Sequence, residues 1–231
     1  VSTPTFHLPA ADTSYLDRLW LDEHGRIKLM AASEFRKVPH EHLIIWCHRR
    51  ARYGLPTLEL IEWLRSQIAG RFAIEVGAGN GDLGFHLGIT ATDSRIQMSP
   101  ETRAFYATLR QPPTRPRKEV QTLDANAAVR RLKPKVVIAS WLTRKFVRGV
   151  DIDGISQASI HGADEEAIRA ATETYIHIGN CDSHAAKTAL SLPHEVFHFP
   201  WLVSRARCQE NNVIYMWKRG EFCDSQNDFP R

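Results

Sequence analysis

The sequence predicts an α/β fold: a mainly parallel sheet with helices on both faces, an antiparallel last strand and a helical N-terminal extension. Three observations carry that expectation. Short apolar, β-branched runs such as Val136-Val137-Ile138-Ala139 alternate with helical patterns from residue 71 onward. An early run, Phe72 to Val76, leads straight into a turn with alternating glycines at 77, 79 and 81. The chain of 231 residues is 43% apolar and 24% charged, which suits one large domain with its own core and argues against disorder.

The elements follow in order. Residues 1–33 carry little periodic apolar signal and read as an arm or a small irregular element. Pro39 to Tyr53 reads as a helix with Pro at its first position and Gly54 beyond its end. Pro56 to Ala69 repeats the pattern, with Leu60, Ile61, Leu64 and Ile68 as a stripe at helical spacing. We place the N-terminal arm and helical cap at 1–70 and the main domain at 71–231. Strands are predicted at 72–76, 89–92, 119–123, 135–140, 174–179, 195–199 and 212–218. Between them lie helices opening at Ser99-Pro100, Asp124, Ala163 and Ser183, and a basic, Pro-rich loop at 111–118.

Composition also excludes. The longest apolar runs are too short to span a bilayer. The first residues lack the basic and apolar regions of a secretory leader, and four cysteines without a Cys-x-x-Cys pair suggest no disulfide framework. A cytoplasmic protein in a reducing compartment is the expectation. The formal net charge of +4 is unevenly spread: Arg103 to Arg148 holds twelve basic and two acidic residues, Asp151 to Asp182 one basic and seven acidic. Such asymmetry suits an anionic partner, a nucleic acid or an anionic small molecule, although a solvated face gives the same pattern.

The segment Ala73-Ile-Glu-Val-Gly-Ala-Gly-Asn-Gly-Asp-Leu83 is the most informative. Glycines at 77, 79 and 81 let the chain turn tightly and bring backbone close to a ligand, and the next helix offers free N–H groups. Gly79-Asn80-Gly81-Asp82-Leu83-Gly84 spells the G-x-G-x-x-G of dinucleotide sites. Yet Glu75, two residues before the first glycine, sits badly beside a pyrophosphate and suits a ligand with a cationic amino-acid end. Here the chain resembles the class I, Rossmann-like S-adenosylmethionine-dependent methyltransferases, whose first motif is E/D-x-G-x-G-x-G.

The resemblance extends, position by position, over roughly 71–218. It implies S-adenosyl-L-methionine as cofactor and S-adenosyl-L-homocysteine as product. Glu75, Gly77, Ala78, Gly79, Asn80 and Gly81 would hold the methionine end. Asp93, closing the second strand, would take the ribose, and Asp124 and Ala125 would lie near the adenine. Ser140 and Trp141 stand where the family faces the transferred methyl. The patterns of amino-methylating and cytosine-C5 enzymes are missing: Ala139-Ser-Trp-Leu-Thr-Arg144 contains neither Asn-Pro-Pro-Tyr nor a Pro-Cys pair.

Acceptor-side candidates are Trp141, Asp182 and His184, with Arg144, Lys145 and Arg148 near the same sheet edge. Asp182 also reads as a plain helix cap. Arg49, Arg50 and Arg52, beside Trp46 and Tyr53, could add a basic rim. A literal H-E-x-x-H at His194–His198 is set aside as a metal site. On a strand its histidines lie about 13 Å apart at about 3.3 Å per residue. A cofactor-binding module without turnover and an NAD(P)-dependent oxidoreductase remain as alternatives; the acceptor and the oligomeric state are open.

Overall fold

The structure is a computed structural model that describes residues 11–148, 151 and 158–220. Its main sheet holds β1 (Ala73–Val76), β2 (Thr90–Asp93), β3 (Gln121–Thr122), β4 (Val136–Ser140), β5 (Thr174–Asn180), β6 (Glu195–Phe197) and β7 (Asn212–Lys218). Their order is β3-β2-β1-β4-β5-β7-β6. Pairing is parallel from β3 through β5. The last strand, β7, runs antiparallel to both β5 and β6, so the antiparallel strand lies second from the edge. The order reverses at β1, whose neighbours are β2 on one side and β4 on the other; ligands of open α/β sheets bind at such a reversal, beyond the carboxyl ends of the strands.

The helices are α1 (Tyr15–Trp20), α2 (Ala32–Phe35), α3 (His40–Arg49), α4 (Leu58–Ile68), α5 (Asp82–Leu87), α6 (Pro100–Thr108), α7 (Ala125–Leu132), α8 (Glu165–Ala171) and α9 (Cys181–His184). Several starts are set by their own side chains: Thr57, Ser99, Asp124 and Asp164 each accept a hydrogen bond from the amide three residues on.

Every residue of β1 is buried, as are Val136–Ala139 of β4, because helices cover both faces of the sheet. Alternation splits the strands between two cores. Ile138, Ile176 and Met216 pack with Leu60, Leu64 and Ile68 of α4 on one face. Ile74, Val137, Tyr175 and Trp217 pack with Ala128, Val129 and Ile168 of α7 and α8 on the other. The stripe read from α4 therefore faces the sheet.

A third core differs from the expectation for the N-terminal segment. Leu16, Trp20, Ile27 and Phe35 are buried with Trp46 and Val203. Trp20 stands edge-on to Phe35 at 5.3 Å and to Trp46 at 4.9 Å. Residues 11–33 are thus part of a packed cap and no arm. Helices of six and four residues are too short to show a stripe, which is why periodicity missed them. Residues 1–10 lie outside the described range. The helix expected from Ser183 to Leu190 is also divided, into α9 and a 3₁₀ turn at Thr188–Ser191. Asn180 starts α9 early by accepting from the Asp182 amide, and Lys187 turns inward between the two pieces.

Candidate functional site

Two cavities open at the carboxyl ends of β1, β4 and β5, and Trp141 lines both. The first, of about 290 Å³, is bounded by Glu75, the turn Gly77–Leu83, Asp93, Ser140 and Trp141, with Tyr53 and Arg205 across it. The second, of about 280 Å³, lies among Trp141, Arg144, His184, Lys187, Tyr53 and Arg205.

The turn owes its shape to glycine. Gly77, Gly79 and Gly81 all have left-handed backbones, with φ of +60°, +54° and +82°. At Gly81 a Cβ would also lie 2.5 Å from Val120 Cγ2. Gly84, which has an ordinary backbone, needs to be small for another reason: its Cβ would stand 2.7 Å from Glu75 Oε2 and 2.9 Å from Ala91 Cβ. Helix α5 thus approaches the strands closely, and the Gly84 amide donates to Glu75 Oε2 at 2.8 Å.

Glu75 is only 2% exposed, and burial pushes its carboxyl up to about 8, partly offset by the Gly84 hydrogen bond. At neutral pH it is a largely protonated acid beneath the turn, ready to ionise beside a cation. Asp93 holds the turn from the other side. Its Oδ2 accepts from the Gly79 amide at 2.9 Å and its Oδ1 from the Arg95 amide at 2.7 Å. Each oxygen retains a lone pair that a ligand hydroxyl can use. Burial raises the Asp93 pKa, and the two amides act against that rise. Asn80 is tied on both sides, donating to Ala51 O and accepting from the Arg115 amide.

Asp124 and Ala125 do not line this cavity. The Asp124 carboxylate accepts from the Ala127 amide as the cap of α7, and Ala125 is packed in the core beneath the sheet. Beyond Asp93 the wall consists of Gln97, Tyr106 and Thr114. Thr114 belongs to the Pro-rich loop, and its amide donates to Gln97 Oε1 at 2.8 Å.

Trp141 adopts a left-handed backbone, φ +57°, that a bulky residue rarely takes. Its amide donates to Ile178 O at 2.8 Å, which fixes the chain as it leaves β4. The indole meets the Tyr53 ring at 6.0 Å and the His184 ring edge-on at 5.2 Å. The Arg205 guanidinium lies 3.6 Å above the Tyr53 ring centroid and 5.9 Å from that of Trp141.

Behind the second cavity sits a buried polar cluster. Lys187 Nζ donates to Glu165 Oε2 at 2.5 Å and to Leu142 O at 2.8 Å, while Tyr175 Oη donates to Glu165 Oε1 at 2.6 Å. His177 Nδ1 is 3.5 Å from the same carboxylate. His184 Nδ1 lies 3.0 Å from both the amide and the carbonyl of Asn180, and burial lowers its pKa to about 4, so the ring is neutral. Gly179 makes this possible: a Cβ there would lie 2.4 Å from His184 Nδ1.

Of the acceptor-side candidates, the structure brings Trp141 and His184 together; Asp182 lines neither cavity, is exposed and accepts from Asn211 Nδ2. The basic rim dissolves into internal pairs: Arg50 with Asp17, Arg52 with Asp82, and Arg49 to Ala11 O and Thr13. Arg144 is paired with Asp151, while Lys145 and Arg148 are exposed. His194 and His198 flank strand β6, and each bonds a backbone carbonyl, of Leu192 and Asn212. Sequence reasoning missed Arg205, Tyr106, Gln97 and Thr114, which come from loops or an exposed helix with no periodic signal.

No protein-family model and no curated protein matches the sequence. Among solved structures the chain is similar to Thermoplasma acidophilum 1320 at 16% identity and a TM-score of 0.36, over 83% of this chain and 96% of that one. It is also similar to a protein from Escherichia coli described as "Putative methyltransferase yhhF", at 15% identity and a TM-score of 0.30, over 71% and 88%. At such scores neither likeness bears on what this chain does; the Rossmann-like fold rests on the sheet itself. Among the described residues no helix is long and apolar enough to cross a membrane.

Proposed function

We propose that the first cavity binds S-adenosyl-L-methionine and that the protein is a methyltransferase. The observation that supports this best is Glu75, buried under a left-handed glycine turn and lining the cavity. Glu75 can ionise beside a cation and the Asp93 carboxylate can accept from hydroxyls, while Asp82 is taken up by Arg52, so the turn favours a ligand with a cationic end and free hydroxyls over a pyrophosphate. That disfavours a dinucleotide although the glycine spacing fits one.

The donor set fits the cofactor. Glu75 and the 77–81 turn would hold its amino-acid end, Asp93 its ribose hydroxyls, and Gln97, Tyr106 and Thr114 would border its base in place of Asp124 and Ala125. When bound, the cofactor supplies an electrophilic methyl on a sulfonium. Transfer is an in-line displacement, so the chain's task is mainly to orient the nucleophile and exclude water. Trp141 lines both cavities, and neutral His184, edge-on to its indole, offers an acceptor a ring nitrogen to bond.

Transfer of labelled methyl from S-adenosylmethionine to a host-cell extract, followed by parallel nuclease and protease digests, tests the reading. Label in any fraction supports a methyltransferase and sorts the acceptor. Binding of S-adenosylhomocysteine without transfer would favour a module that senses the cofactor.

A further inference from the structure

Unlike its neighbour, where Arg52 and Arg205 stand with Glu75, Asp82 and Asp93, the second cavity is lined by cations without an acid. Among the described residues it is lined by Arg144, Lys187 and Arg205 and by no Asp or Glu. Two of the three cations are neutralised from behind: Arg144 is paired with Asp151 and Lys187 with Glu165. Arg205 differs. Among the described residues no carboxylate lies within ion-pair distance of it, and the contacts of its guanidinium are the Tyr53 and Trp141 rings and a long hydrogen bond, 3.4 Å, to Gln111 Oε1. Its backbone is fixed by a 3.0 Å hydrogen bond from its amide to Tyr53 O. A planar fork of donors is thus braced on an aromatic face at the mouth of a cavity. The rest of the lining is uncharged, with the rings of Tyr53, Trp141 and His184 beside Leu142 and small side chains such as Ala158 and Ala186.

We propose that this cavity binds a small aromatic acid, its ring against Trp141 and Tyr53 and its anionic group on Arg205. A charge-assisted, two-pronged contact to a carboxylate or phosphate is the interaction a guanidinium makes best. The cavity volume of about 280 Å³ suits one or two rings, which favours a small molecule over a polymer. The identification of this ligand as the methyl acceptor rests on the donor-site reading; its binding does not.

The test is ligand-observed NMR titration of the full chain with benzoate, its neutral isostere benzamide, and phenyl phosphate. Benzoate or phenyl phosphate should bind with a dissociation constant on the order of a millimolar, at least about tenfold tighter than benzamide, and more weakly as salt rises. The stronger of the two anions identifies the carboxylate or phosphate source. Arg205→Gln should remove that preference and leave benzamide unchanged, and Arg205→Lys should restore part of it. Ala186→Trp, which adds bulk to the cavity wall and leaves Arg205 in the sequence, should block all three probes and keeps the test decisive if Arg205→Gln fails to fold. Equal binding of benzoate and benzamide to the wild type, or full anion preference in folded Arg205→Gln, would overturn the proposal. S-adenosylhomocysteine is titrated in parallel: its failure to bind alongside a charge-selective second cavity would remove the donor reading alone.

Discussion

The two cavities beside Trp141 are built from the same sheet edge yet differ in charge: among the described residues, acids and arginines together line the first, cations without an acid the second. At the glycine turn, carboxylates stand at the cavity wall and backbone amides support them: Glu75 by Gly84, Asp93 by Gly79 and Arg95. Behind Trp141 the arrangement is inverted, with cations at the wall and the carboxylates of Glu165 and Asp151 behind them. The turn side is made by local sequence, within residues 75–95. The other side is assembled from β4, α8, α9 and the 205 loop, far apart in the chain.

The largest expected effect breaks the second side from behind. Glu165→Ala strands buried Lys187 and should cost about 3–5 kcal/mol in urea unfolding; a loss below about 1 kcal/mol would mean that Lys187 is neutralised by other means. Next comes Gly81→Val, which needs a left-handed valine pressed against Val120. It should cost about 1–3 kcal/mol and weaken S-adenosylhomocysteine binding at least about 100-fold, where Ala186→Trp leaves that binding intact. Asp93→Asn sharpens the contrast within the first cavity. It should weaken the same ligand about tenfold and cost about 1–3 kcal/mol of stability, because its NH2 would face one of the two donating amides, and an unchanged affinity would remove Asp93 as the ribose acceptor.

The last effect is one of pH. Burial holds Glu75 protonated up to about 8, well above the usual carboxylate range. Between those limits the native state binds the extra proton, so this group's contribution to stability is present at acid pH and is lost as pH rises through about 8. Glu75→Gln should therefore gain on the wild type steadily between about pH 5 and about pH 9 in urea midpoint, while losing affinity for a cationic ligand. A difference that does not vary with pH would place Glu75 in water rather than beneath the turn.

Much of this molecule was legible where the signal is local. The glycine spacing, the buried β1 and β4 runs and the caps at Ser99 and Asp124 each lie within a few residues of the structure they cause. The limits were equally physical. Asp124 satisfied two patterns, a cap and an adenine contact; it caps α7 and stands outside the cavity lining. The Trp20–Trp46 core comes from short helices with no stripe. Arg205 gains its surroundings from Tyr53, 152 positions away in sequence, and no spacing rule reaches that far. The basic residues around 49–52 showed how composition misleads: they were legible as charge, but their partners Asp17 and Asp82 were not.

The central claim is that the glycine-turn cavity takes an S-adenosyl ligand. Calorimetric titration of the full chain with S-adenosylhomocysteine, repeated in the presence of NAD and of NADP, tests it most directly. The account predicts saturable one-to-one binding that neither dinucleotide displaces. Binding of a dinucleotide with none of S-adenosylhomocysteine would contradict it and return the glycine turn to the pyrophosphate reading.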